Sequence, residues 1–89
     1  MKHAGQQALD ELASLLAEVR LLPGLVERKP GIFYRRGQAY LHFHEDPAGL
    51  FADVKLGAEP KFERFRVSTP QERQALLMAL QTALQAAPR

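Results

Sequence analysis

With 89 residues the chain has room for one domain with a small core, since a chain of this size buries roughly 60–65% of its unfolded surface. Hydrophobic residues make up 46% and charged residues 25%, with a formal charge of +2; this balance excludes a disordered chain and falls short of the dense basic charge of strong nucleic-acid binders. There is no cysteine, which excludes a disulfide, a thiolate metal site and a cysteine nucleophile.

Met1 to Ala8 carries one Lys, two Gln and no apolar run, so no signal peptide is expected there. No stretch approaches the length needed to cross a bilayer, so no membrane partner is expected. The cytoplasm is the expected location. His3 falls in a terminus expected to fray and is set aside.

From about residue 5 to 22, Leu9, Leu12, Leu15, Leu16 and Val19 recur at intervals of three and four. That spacing predicts one helix with a single buried stripe. Pro23-Gly24 ends it, because proline cannot extend a helix and glycine supplies a left-handed cap.

Five strand candidates follow between about residues 25 and 67: Leu25–Arg28, Ile32–Arg35, Ala39–His44, Leu50–Leu56 and Arg64–Val67. Pro30-Gly31, Gly37-Gln38, Asp46-Pro47-Ala48-Gly49 and Gly57–Pro60 separate them as turns. Connections this short favour antiparallel neighbours. If residues 46–49 form a four-residue hairpin loop, His44 faces Phe51, Phe43 faces Ala52, His42 faces Asp53 and Leu41 faces Val54. Opposed residues share a face. One face then holds Ala39, Leu41, Phe43, Ala52, Val54 and Leu56, and a one-residue slip would bury charges. The other face holds Tyr40, His42, His44, Phe51, Asp53 and Lys55. Arg64 and Arg66 join it if Phe65 and Val67 point inward. Around Gly37 the register is open, so either Phe33 or Tyr34 reaches the outer face.

The closing helix spans about residues 70–86 and ends near Ala87-Pro88. Thr69-Pro70-Gln71-Glu72 combines an N-cap threonine, a proline at the first helical position and a capping-box glutamate. Ser68 is expected to help that cap. Leu76, Leu77, Leu80, Ala83 and Leu84 form the apolar face. Two amphipathic helices around an antiparallel sheet of four to five strands predict a two-layer α+β domain with both helices on one sheet face.

The outer sheet face is where a function can sit. His42 opposite Asp53 is the pair with chemical potential, because a nearby carboxylate fixes an imidazole tautomer and favours its charged form. His42 and Asp53 are the catalytic candidates. His42 and His44, at i and i+2 on one strand, are the metal candidates, although three firm ligands are the usual minimum. An exposed cross-strand ion pair is the plainer reading. Ser14 and Ser68 lack the elbow of a nucleophilic serine, and the glycines read as turns. Catalysis is not expected, and no cofactor is expected.

The remaining readings use the whole face: Tyr40, His42, His44, Phe51, Asp53, Arg64 and Arg66. Aromatics among basic residues can stack bases and contact phosphates, although long basic side chains also simply cover a sheet. A small domain with one uncovered face often pairs with itself or another protein. The leading expectation is therefore a binding or interaction module that self-associates. A nucleic-acid-binding module is the first alternative, and a His-Asp or metal-dependent enzyme the second.

Pro23-Gly24-Leu25-Val26-Glu27-Arg28, a short aromatic strand, Gly37 to His44, Asp53, and Phe65-Arg66-Val67 before a closing helix together resemble the small domain catalogued as luciferase-like in bacteria and fungi. The resemblance covers about residues 12–85. It implies that His42, His44 and Asp53 are the positions to test, and it does not establish light emission. The chain departs from that pattern between Leu56 and Phe62, where an insertion often carrying a further histidine is absent. In helix–sheet–helix layout alone, the chain is also similar to YjbR-like domains.

Overall fold

The structure is a computed structural model and describes residues 1–85. In chain order the elements are β1 (Lys2–His3), α1 (Gln6–Glu11), α2 (Ala13–Arg20), β2 (Leu25–Lys29), β3 (Ile32–Arg35), β4 (Gln38–Asp46), β5 (Gly49–Val54), β6 (Glu63–Arg66) and α3 (Pro70–Gln85). Strands β2 to β6 form an antiparallel meander in sequence order, and β1 adds to β4 to complete a six-stranded sheet. The helices lie on one face, giving the two-layer α+β architecture that the helical and alternating patterns predict.

The core is where the helical stripes meet that face. Leu12, Leu15, Leu16 and Val19 from the N-terminal helices and Leu76, Leu77 and Leu80 from α3 are buried against Phe33, Leu41, Phe43, Ala52, Val54 and Val67. No polar or charged residue is buried among the described residues. The Arg20 guanidinium reaches from α2 to Glu27 on β2, with Nε 2.6 Å from Oε1.

The single N-terminal helix expected over residues 5–22 is two segments. They break at Leu12, where φ is −91° and ψ is 7°. Ala8 is the buried residue of the first segment. Leu9 comes to lie over Gly31, where an added Cβ would approach its Cδ2 to 2.8 Å.

The β4–β5 register is the expected one, with His42 opposite Asp53 and Phe43 opposite Ala52. The loop is shorter than expected. Asp46 pairs with Gly49, so only Pro47 and Ala48 form the turn. Gly49 has φ of +138°, and a Cβ there would meet Ser68 Oγ at 2.6 Å, so the position needs glycine. Ser68 does join the cap, its N–H donating to Glu72 Oε1 at 3.0 Å. Its Oγ is turned elsewhere and accepts the Leu50 N–H at 3.0 Å.

The β3–β4 pair resolves the open register with a bulge. Phe33 faces Leu41 but Tyr34 faces Ala39, which leaves Tyr40 without a partner on β3. A bulge breaks strict alternation, so two expectations change. Tyr40 leaves the outer face and is buried at 4% exposure. Ala39 leaves the core set and lies beside Tyr34 on the outer face, half-buried.

The start of α3 forms the expected capping box. Thr69 Oγ1 accepts the Glu72 N–H at 3.1 Å, and Glu72 Oε1 accepts the Thr69 N–H at 3.0 Å. Thr69→Ala should cost about 1 kcal/mol, read as a lower urea midpoint at unchanged slope. The expected helix end near Ala87-Pro88, and residue 86 before it, lie outside the described residues. Among the described residues no helix is long and apolar enough to cross a membrane.

Candidate functional site on the open sheet face

The face turned away from the helices carries Tyr34, His42, His44, Phe51, Asp53 and Arg64, placed there by the alternation of β3 to β6. Phe51 faces Arg66 and Asp53 faces Arg64 across β5–β6. Phe65 and Val67 do point inward, Phe65 packing on the core and Val67 buried within it.

The terminus set aside in the sequence is part of this site. Lys2 pairs with Glu45 and His3 with His44. This edge of β4 is free because β3 pairs only with residues up to His42. The Ala4 N–H donates to the Phe43 carbonyl at 3.0 Å, and the Gly5 N–H donates to Glu45 Oε2 at 2.6 Å. Fraying was the wrong expectation, because these backbone bonds fasten the segment to the sheet.

All three histidines of the chain therefore meet. One ring nitrogen from each of His3, His42 and His44 lies within 4.8 Å of the others. The His3 and His44 rings stack with centroids 4.9 Å apart, and His42 meets them edge-on at 5.8 and 6.0 Å. Phe62 covers His42 at a centroid distance of 5.0 Å. His44 Nε2 is enclosed and has no hydrogen-bond partner; it sits 3.5 Å from Asp53 Oδ2.

The His42–Asp53 pair does not form the expected hydrogen bond, although the register opposes the two residues. Asp53 accepts two hydrogen bonds from Arg64, at 2.8 and 2.9 Å. Its remaining reach is toward His44. The Arg64 hydrogen bonds hold the Asp53 carboxyl below its ordinary range, against the opposing effect of burial. A carboxylate neutralised in this way is a poor general base. Burial, then the neighbouring His44 and His3, push His42 down, and Asp53 only partly opposes them. Burial also lowers His44. Both shifts run opposite to the expected charged histidine.

Of the other sequence candidates, Arg66 is turned toward the start of α3, where its Nη1 pairs with Glu72 at 3.1 Å. Phe51 is half-buried on the open face. His3 and Phe62 are the site residues that sequence reasoning missed. A histidine two residues from the start carries no periodicity, and Phe62 lies outside any strand. Comparison of the chain with protein-family models, curated proteins and solved structures finds no match.

Proposed function

We propose that this domain is a binding module of the open sheet face whose ligand is a divalent transition-metal ion of the zinc class, held by His3, His42 and His44. The observation that carries this reading is the convergence of the three ring nitrogens within 4.8 Å. A tetrahedral ion with bonds of about 2.0–2.1 Å sets its ligand nitrogens roughly 3.4 Å apart. His3 is the exposed member of the three, so its rotation can supply the closure. Neutral imidazoles present the lone pair a metal needs, and the Asp53 carboxylate beside His44 is the outer support such ligands commonly have. Three protein nitrogens leave one tetrahedral position for water or an incoming ligand. Asp53 is read as an orienting group and not as a ligand, because Arg64 occupies both its oxygens. Calorimetric titration of zinc into metal-free protein should give one site per chain. No saturable site, or a site that survives loss of two histidines, would end this reading.

Two features count against the nucleic-acid alternative. Tyr40 is off the face, and Arg64 and Arg66 are each paired with a carboxylate. Self-association is favoured by one observation. Val26, whose partner Tyr34 lies on the open face, is 59% exposed, and Phe62 is 39% exposed. Sedimentation should then show a dimer that Val26→Lys converts to a monomer; a monomer at every concentration removes this second reading. A cytoplasmic location belongs to the same proposal.

A further inference from the structure

At the Gly37 end of the sheet, the β3–β4 turn and the segment after β5 border an open cavity of about 360 Å³. That volume lies in the range of small-molecule sites. It shares no residue with the histidine cluster. Arg35, Arg36 and Lys55 line it, together with Gln38, Tyr40 and one carboxylate, Glu59. Among the described residues none of the three cations forms an ion pair. The Arg35 guanidinium lies 5.6 Å from the centre of the buried Tyr40 ring, and the Lys55 ammonium 5.0 Å from that of Phe62. Aromatic surfaces thus hold two of the charges in place. Tyr40 lines the cavity, and its enclosed hydroxyl has no hydrogen bond of good geometry, its nearest charge being Arg35.

The turn itself adds an independent observation. Arg36 and Gly37 have φ of +54° and +79°, and positive φ at both central residues of a two-residue hairpin is the pattern that favours Asn-Gly. Arginine is an unfavourable choice at the first position, since its Cβ crowds the backbone in a left-handed conformation. The turn thereby puts a second arginine, next to Arg35 in sequence, on the cavity wall.

We infer that this cavity binds a small phosphate-bearing molecule, with Arg35 and Arg36 as the guanidinium pair that recognises it. Two planar forks match the several oxygens of a phosphate, whereas a halide offers only one spherical acceptor.

The test is a titration of labelled full chain with inorganic phosphate, followed by backbone amide shifts, beside sodium acetate and sodium chloride at matched ionic strength. Saturable shifts at residues 35–38 and 55–59 with phosphate, and weaker ones with acetate, are expected. Arg36→Asn should reduce phosphate affinity at least about tenfold while the melting temperature holds or rises, because asparagine suits the turn. Lys55→Gln gives a second variant outside the turn, with the same loss expected. Equal shifts with chloride, a preference for acetate, or unchanged affinity in both variants would overturn the inference. His3→Ala should leave phosphate binding intact, which separates this cavity from the metal site.

Discussion

Replacing Phe43 by alanine is expected to remove about 3–5 kcal/mol of stability, the usual cost of deleting a large aromatic side chain from a core. Phe43 is 1% exposed and sits at the centre of the sheet's inner face. Its ring meets Phe33 edge-on at 6.4 Å and 72°, and relaxation of the neighbours cannot refill a space of that size. Small domains have 5–15 kcal/mol in all, and a short chain sits toward the lower end. Phe43→Ala should therefore lose most of its cooperative unfolding transition in urea. The same strand carries His42 and His44 on its other side, so zinc affinity should fall with the fold. A midpoint within about 1 kcal/mol of the parent would show that the inner face is not packed as described.

His3→Ala is the second large effect, and its signature is different. His3 is exposed, so the metal-free variant should unfold within about 0.5 kcal/mol of the parent. Zinc binding should weaken by at least about 100-fold, because loss of outer partners alone typically costs 10–100-fold and this change removes a ligand. At free zinc 100 times the dissociation constant, the parent should gain about 2.7 kcal/mol. The variant should gain little at the same concentration. Equal stabilisation of both proteins would show that zinc binds elsewhere.

The two faces of β4–β5 were legible in the sequence because their alternation is strict. Any slip would have buried His42, Asp53 or Lys55, so the burial cost alone selects the register. The same alternation put Arg64 on the face of Asp53, on the condition that Phe65 and Val67 point inward, but did not pair the two. It failed at Tyr40, where a bulge reverses the alternation. A bulge leaves no mark in residue type when the displaced side chain is an aromatic that fits either face. It failed again at Leu12, since a broken helix and a continuous one present the same stripe of leucines. The heaviest loss was His3. Two residues carry no period, and the reason they form a strand lies forty residues away, in the half of β4 that β3 leaves unpaired. The pairing of histidine with aspartate was also misjudged, because register fixes which residues are opposed but not which neighbour a carboxylate chooses. Asp53 had a guanidinium on one side and an imidazole on the other, and the bidentate arginine won.

The most direct test of the account is a long-range proton–nitrogen spectrum of the imidazole rings during addition of zinc. The chain has only three histidines, so every ring signal belongs to the proposed site. The account predicts that nitrogens of His3, His42 and His44 shift together and stop at one equivalent of zinc. Shifts confined to one ring, or none at all, would contradict it.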